Sequence, residues 1–369
     1  MKNAVIAILA MVSLATEVRA QQPGAVEALD GVDPVLLVQG KEVSGKPDLK
    51  VVRGRFEYLF SSPATKATFE RNPSQYEIQL NGLCARMGKA TGGRPSDYLV
   101  YDGKIYIFGS DECHRKFEAE PKKYLPPAAA PFAASAKAAK DGRALVERVV
   151  TVIGGGPKLD GLKTYIETAS QTQRRSTGDV PLTVKTMWRF PGDVRAERTM
   201  TLQDRTMSSA TLITPSGMWF LSQGRAFPVM EAGRPSMELD YGRQIVPLLR
   251  GRRDRGFQAA SLGRETLNGV TVDRVRVLNG GVDVILALEP SSGRVQAISF
   301  SDRNSEGEVG QFTIAFSDYR DVDGLSLPFV ERASFNGVAD PSLSRRIDAV
   351  AINAPLDPVL FQPGTPGGQ

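Results

Sequence analysis

The chain has 369 residues and a formal net charge of +5. Hydrophobic residues make up 41% and charged residues 24%, the balance of an ordinary globular protein with room for two or three domains. The basic residues are scattered rather than gathered in a stripe on a known nucleic-acid-binding module. We therefore expect no nucleic-acid partner, although a basic protein can lie at an acidic membrane surface.

The first 20 residues predict a cleavable secretory signal. Lys2 supplies a positive start, residues 4–15 are almost all apolar, and residues 18–20 fit an A-x-A-like cleavage site. The apolar run is too short to span a bilayer, and no later stretch reaches about 18 apolar residues. We expect a chain cut after Ala20 and exported to the periplasm or the medium, where disulfides can form.

A stretch of sequence then occurs twice, with an offset of 48 positions. Self-similarity of this kind indicates duplicated structural units, and two copies indicate a tandem pair. The matching segments are 40–47 with 88–95, 58–62 with 106–110, and Phe69, Pro73 and Tyr76 with Phe117, Pro121 and Tyr124. Because the shared residues are mostly apolar or turn-forming, they build the fold. We call residues 29–80 unit one and residues 81–127 unit two.

Each unit is predicted to form a β-hairpin followed by a helix. In unit two, Asp102-Gly103 joins two alternating apolar runs, which is a strong hairpin signal. Ser62 and Ser110 stand where a helix N-cap belongs. Pro73 and Pro121 then end the two helices.

Residues 125–140 are rich in proline and alanine and predict a linker. The remainder, residues 141–363, is expected to begin with a helix and to hold a second helix over 159–169 and an inserted helix over 235–249. Between and after these helices the pattern is that of strands at short spacing. The predicted strands are 182–190, 195–202, 209–213, 218–221, 225–229, 257–265, 270–278, 282–289, 294–301, 311–319, 327–336 and 344–353.

A meander of this length must close or curl to protect its edge strands. Curling around a helix would leave an apolar interior. The predicted fold class is therefore α+β, with two small hairpin-and-helix units followed by an antiparallel β half-barrel with packed helices.

Unit two holds both cysteines, Cys84 and Cys113, and the one histidine, His114. Unit one has Leu36 and Thr65 at the positions of the thiols, so the thiols are not needed for the fold. Neighbouring helix positions point apart, so Cys113 and His114 do not predict a catalytic dyad. A nucleophile elbow of the G-x-S-x-G type is also missing from the sequence. We therefore predict no catalytic residues and no enzyme activity.

Three motifs of unit two stand at residues 84–89, 106–113 and 117–124. They are similar to the Cys-Pro-x-x-Gly start, the Tyr-x-Phe-Cys-Ser-x-x-Cys segment and the closing Phe-x-x-x-Pro-x-x-Tyr of the YHS domain. This small module is related to metal-binding domains of the TRASH type. Unit one resembles the same family without thiols, so the pair looks like tandem YHS domains. Gly109 stands where metal-binding relatives keep a cysteine.

The resemblance leaves three alternatives for Cys84 and Cys113. They form a disulfide after export, remain unpaired, or hold a soft metal ion such as Cu(I). Structural zinc usually takes four nitrogen or sulfur ligands, which counts against a metal site with two thiols. The disulfide is the favoured alternative, and apart from a soft metal ion we expect no cofactor.

The long strands of residues 141–363 carry a second resemblance, together with segments 268–273, 316–320, 323–328 and 357–361. This part is similar to the LolA/LolB-like lipoprotein-carrier fold, an open half-barrel wrapped on helices. Relatives bind acyl chains or other apolar ligands in the concave sheet, which implies such a ligand here. Ordinary core packing is the alternative for the side chains that we expect to line the cavity. These are Met187, Trp188, Met200, Met218 and Trp219.

The sequence thus predicts an exported envelope protein that binds an apolar or lipid-like ligand and catalyses no reaction. Soft-metal binding or sensing through Cys84 and Cys113 is one alternative, and a purely structural adaptor is another. Protein partners and oligomeric state leave no signal in the sequence.

Overall fold

The computed structural model describes residues 24–89, 91–127, 130–175, 178–202, 205–267 and 269–364. The predicted signal and its cleavage site lie outside these described residues.

Unit one and the strand just before it form a small three-stranded sheet with helices. The strands and helices are β1 (Val26–Glu27), which precedes the unit, and then α1 (Pro34–Val38), β2 (Lys46–Arg53), β3 (Phe56–Phe60), α2 (Pro63–Arg71) and α3 (Pro73–Tyr76). β3 lies between β1 and β2, parallel to the first and antiparallel to the second. The Ser62 side chain accepts a hydrogen bond from the Thr65 N–H and so caps α2. Phe69 of that helix is fully buried and packs against Tyr58 and Phe60.

Unit two repeats the last four of these elements in the same order. It contains β4 (Arg94–Tyr101), β5 (Lys104–Phe108), α4 (Asp111–Ala119) and α5 (Pro121–Tyr124). Each of the four is as long as its counterpart among β2, β3, α2 and α3. Ser110 caps α4, and Phe117 is buried as Phe69 is in unit one. The predicted hairpin and helix are confirmed in both units, which share a core through Ile78, Ile105 and Ile107.

Two helices follow unit two, α6 (Ala136–Ile153) and α7 (Gly156–Asp160). α6 begins inside the range assigned to the linker, residues 125–140, because Ser135 caps it by accepting from the Ala138 N–H. The alanines that looked like linker composition are also the strongest helix formers. The predicted second helix over residues 159–169 is wrong, since α7 ends at Asp160 and a strand follows.

The rest of the chain forms one antiparallel sheet of thirteen strands that is not closed into a barrel. Its strands are β6 (Thr164–Arg175), β7 (Gly178–Arg189), β8 (Asp193–Leu202), β9 (Arg205–Thr214), β10 (Gly217–Ser222), β11 (Arg225–Pro228), β12 (Gln258–Leu267), β13 (Val270–Asn279), β14 (Val282–Leu288), β15 (Val295–Arg303), β16 (Val309–Val322), β17 (Leu325–Phe335) and β18 (Val338–Ile352). All twelve strand predictions fall on strands, and β6 is the strand that the sequence analysis missed. Tyr165, Glu167 and Ala169 of β6 are buried and alternate with half-buried neighbours, the period of a strand.

The sheet consists of two meanders, β6–β11 and β12–β18, joined where β6 pairs with β18. Between them the chain forms α8 (Arg234–Gly242) and α9 (Ile245–Arg250), so the predicted inserted helix over residues 235–249 is present but broken. α6 and α9 pack on one face of the sheet and build the main core with it. Short 3-10 helices complete the description at Leu29–Gly31, Leu80–Gly82, Glu231–Gly233, Gly251–Arg253 and Pro358–Phe361.

The contact between α6 and β12 depends on a glycine. A Cβ added at Gly142 would lie 2.5 Å from the Ala260 Cα, closer than real side chains approach backbone. We expect Gly142→Ala to lower the free energy of unfolding by about 1–3 kcal/mol through overpacking, although helix propensity alone would favour alanine.

Urea unfolding of purified protein measures this effect. Ala144→Leu is the control, because Ala144 lies on the exposed side of the same helix and should change stability by less than about 0.5 kcal/mol. A stabilised Gly142→Ala variant would contradict the close packing of α6 on β12.

Candidate ligand cavity and thiol pair

A cavity of about 660 Å³ opens on the face of the sheet that carries the helices. Strands of both meanders line it, β6–β8 on one side and β15–β18 on the other, together with α8. Part of the wall comes from unit two, through Met87, Lys89 and Thr91. Ile245 and Val246 of α9 line it as well, so the cavity is bounded by the sheet, two helices and a loop of unit two.

β15 and β16 contribute apolar side chains to the cavity. Phe312, Ile314 and Phe316 alternate along β16 and point into the cavity, and Phe300 of β15 joins them. Phe300 and Phe312 stack with their ring centres 5.6 Å apart. Ala315, between the inward positions, is exposed on the other face. The period of two places a continuous apolar stripe on the cavity side.

The middle of the cavity wall carries a buried ion network across three neighbouring strands. Arg345 of β18 donates from Nε to Glu331 Oε2 of β17 over 2.8 Å, and its Nη1 lies 3.0 Å from Glu167 Oε1 of β6. Arg345 Nη2 donates to Gln244 Oε1 over 3.0 Å. The Tyr165 hydroxyl donates to Glu167 Oε2 over 3.2 Å. We call these five side chains the floor network.

Burial and charge act in opposite directions on the floor network. Burial raises the pKa of Glu167 and outweighs the lowering by Arg345, while the charge of Glu331 adds to the rise. Burial would lower the pKa of Arg345, but Glu331 and Glu167 outweigh it and raise that pKa above its usual value. Burial and the nearby carboxylates also raise the pKa of Tyr165, so its hydroxyl stays a hydrogen-bond donor.

Unit two is held against the sheet by ion pairs. Arg86 Nη2 lies 2.9 Å from Glu306 Oε2, and Lys123 Nζ lies 2.8 Å from Glu308 Oε1. Lys89 Nζ lies 3.3 Å from Asp240 Oδ2 of α8. These contacts keep the loop that carries Met87 and Lys89 at the edge of the cavity.

The five residues predicted to line the cavity lie elsewhere. Trp188 and Met218 belong to the main core, where Trp188 packs against Tyr165 at 5.3 Å between ring centres. Met187 and Trp219 belong to a smaller cluster around Phe361 on the opposite side of the sheet.

Met200 of β8 is half-buried and is likewise not among the residues that line the cavity. Residue type did not indicate which face of a strand each side chain takes. The alternating apolar residues of β16 were the usable signal for the cavity wall.

The floor network left no sequence signal. Glu167 lies in a segment that was predicted to be helical, and Glu331 and Arg345 are single charges within apolar strands. Only the pairing of β6, β17 and β18 brings them together.

The two cysteines come together in unit two. Cys84 and Cys113 are both buried and both free, and each thiol affects the pKa of the other. Cys113 lies in the first turn of α4, and Arg86 Nη1 donates to its Sγ over 3.8 Å. The structure therefore confirms neither the disulfide nor the metal, but it brings the two thiols close enough to interact electrostatically.

The environments of the two thiols differ. Burial raises the pKa of Cys84. Burial acts in the same direction on Cys113, but hydrogen bonds with Ser110, Arg86 and Cys84 and the charge of Arg86 outweigh it, so the pKa of Cys113 is lowered. Cys113 is thus the thiol that ionises first.

The donor set around the thiols does not fit a structural metal site. In the part of the chain that the structure describes, no group of three or more His, Cys, Asp or Glu side chains could hold a metal ion. A Cβ at Gly109 would lie 3.8 Å from the Cys84 Cβ, so the position that faces Cys84 lacks a side chain. His114 stacks on Phe108 and its Nδ1 bonds to Asp97 instead. Two thiols fall short of the four ligands of structural zinc.

Comparison with known proteins gives one family match. The YHS domain family model matches residues 93–128, which lie within and just beyond unit two. The assignment of unit one to the same family stays a prediction. No curated protein matches the chain.

Solved structures align with about three fifths of the chain at low sequence identity. A DUF1329 family protein from Desulfovibrio piger is 12% identical, with a TM-score of 0.41, over 60% of this chain and 96% of that one. A LolA superfamily protein from Nitrosomonas europaea is 10% identical, with a TM-score of 0.41, over 60% of this chain and 97% of that one.

Within the described residues, no helix has the length and apolar character needed to span a membrane.

The lowered pKa of Cys113 predicts a titration that depends on Arg86. In a Cys84→Ser background, the Cys113 thiolate should appear at a lower pH than that of an ordinary thiol, because the thiolate is stabilised by a nearby cation and a helix N-terminus. Arg86→Gln should move the titration to higher pH. The ultraviolet absorbance of the thiolate as a function of pH measures both.

Lys123→Gln is the matched control, since it removes a cation of the same unit that pairs with Glu308 rather than with a thiol. It should leave the titration unchanged. Equal shifts in the two variants would mean that the Arg86 contact has no specific effect.

Proposed function

We propose that the protein binds a single apolar or lipid-like ligand in the cavity of its large sheet. One observation carries the proposal: Phe300, Phe312, Ile314 and Phe316 of two neighbouring strands line the cavity together as an apolar wall. A volume of about 660 Å³ lies within the range of roughly 300–1,000 Å³ typical of small-molecule sites. On this proposal the sheet is the concave carrier surface that the sequence predicted.

Unit two has a supporting role in this proposal. Because Met87 and Lys89 complete the wall, the second unit limits access to one end of the cavity. The binding role needs no catalytic group, and export to the periplasm would place the site in the cell envelope. Soft-metal binding and a purely structural adaptor role have no comparable geometric support among the described residues, so we do not propose them.

A charge on the apolar wall should weaken ligand binding. We expect Ile314→Glu to weaken binding of the neutral fluorophore N-phenyl-1-naphthylamine by at least about tenfold, because the variant places an unpaired carboxylate against the ligand. Fluorescence titration of the purified protein gives the affinity.

Ala315→Glu is the matched control on the adjacent position of the same strand. Its side chain points to the exposed face, so the affinity should stay within about twofold of the parent protein. If the fluorophore does not bind the parent protein, or binds both variants equally well, the cavity is not the ligand site.

A further inference from the structure

The floor network contains one more carboxylate than cations. Glu167 and Glu331 face Arg345 alone, and the two carboxylate side chains are only 7% and 10% exposed. Burying a net charge is costly unless a proton or a partner of opposite charge compensates it. Tyr165 and Gln244 add hydrogen bonds to the network but no positive charge.

Glu167 has unused hydrogen-bonding capacity. Its Oε2 accepts from Tyr165, whereas its Oε1 is buried and accepts no hydrogen bond. The contact of Oε1 with Arg345 Nη1 is an ion pair of 3.0 Å that lacks hydrogen-bond geometry. A buried acceptor without a donor is unusual, since buried polar groups are normally satisfied.

The guanidinium nitrogens of Arg345 are already engaged by neighbouring side chains. Its Nε and Nη2 both contact Glu331 Oε2, at 2.8 and 2.7 Å, and Nη2 also donates to Gln244. A ligand anion at the floor would therefore face the excess carboxylate without finding an unengaged guanidinium. The floor favours a group that brings positive charge and N–H donors.

The charged side chains that line the cavity outside the floor network form their own contacts and not ion pairs with Glu167. At the unit-two wall, Lys89 and Arg243 pair with Asp240 and Asp302. Arg303, also in that wall, donates to the Tyr124 carbonyl.

Two further charged side chains, Arg198 and Asp340, also line the cavity. Arg198 donates to Thr211 and forms no ion pair with a described carboxylate, and Asp340 accepts from Ser342. An anionic ligand would be drawn to Arg198 and not to the floor, which makes the two locations distinguishable.

We infer that the ligand is a cationic amphiphile whose ammonium group donates to Glu167 Oε1 while its apolar chain lies along Phe300, Phe312 and Ile314. An ammonium group supplies three donors and the positive charge that the floor lacks. This inference rests on the proposed function and specifies the chemical class of its ligand.

Three ligands with the same chain length test it. Dodecylamine, dodecan-1-ol and dodecanoic acid compete with bound N-phenyl-1-naphthylamine at neutral pH, where the amine is a cation and the acid an anion. We expect dodecylamine to bind at least about tenfold more tightly than dodecanoate, or about 1.4 kcal/mol, with the alcohol between them. This order is measured on the unaltered protein, so it does not depend on any variant folding.

The Glu167→Gln variant tests whether the ammonium group binds at Glu167. It keeps the shape of the side chain and removes its charge, so the preference for the amine over the alcohol should disappear, with both affinities measured against the fluorophore affinity of the same variant. Asp340→Asn removes another lining carboxylate as a control and should leave the preference intact. Thermal unfolding confirms that each variant is folded.

Each result either supports or overturns the inference. Equal or tighter binding of dodecanoate overturns it, and loss of that binding in Arg198→Ala would then place the head group at Arg198. An amine preference that survives Glu167→Gln overturns the assignment to Glu167. In both cases fluorophore binding shows that the proposed function stands, whereas no binding of the fluorophore or of any competitor means that the proposed function itself fails.

Discussion

The pairing of β6 with β18 holds the large sheet together. It joins the first strand of one meander to the last strand of the other, with Arg345 opposite Gln171 and Ile352 opposite Tyr165. Every other neighbour in the sheet is consecutive in the chain. Contacts of such long range form at a large cost in chain entropy and are repaid only when the whole sheet is in place. The cavity depends on the same pairing, because its two sides belong to different meanders.

The floor network lies directly on this seam, on β6, β17 and β18. A buried ion pair often contributes little to stability, because the cost of removing charges from water offsets their attraction. Apolar side chains of similar size at these positions would fill the same space without that cost. The network does, however, fix which strands meet, since Glu167 and Glu331 need the same Arg345 between them. It also places a charged group beside the apolar wall of the cavity, which is a basis for discrimination between ligands.

The sequence predicted the local structure well. Asp102-Gly103 and the caps Ser62 and Ser110 lie where local chemistry placed them, because turn and cap preferences act over a few residues. β6 was missed because its inward side chains include Glu167 and its outward ones include Ile166, which weakens the alternation of apolar and polar residues.

The site itself could not be predicted in the same way. The faces taken by Trp188 and Trp219 follow from strand parity and from what covers each face of the sheet, and neither is a local property. The floor network requires the register of strands more than 150 residues apart in the chain. What the sequence could supply was the regular alternation in β16, which does lead to the apolar wall.

The two units differ in where they lie relative to the cavity. Both have the same four elements, yet among the described residues the cavity is bordered by the loop of unit two and not by unit one. That loop starts at Cys84, whose carbonyl accepts from the Gly88 N–H and whose N–H donates to the Thr91 carbonyl. Arg86 in the same loop connects Cys113 to Glu306 beside the sheet. The thiol pair and the cavity wall therefore share one short, tightly bonded segment, so a change in the bonding of the thiols acts on the same backbone that positions Met87.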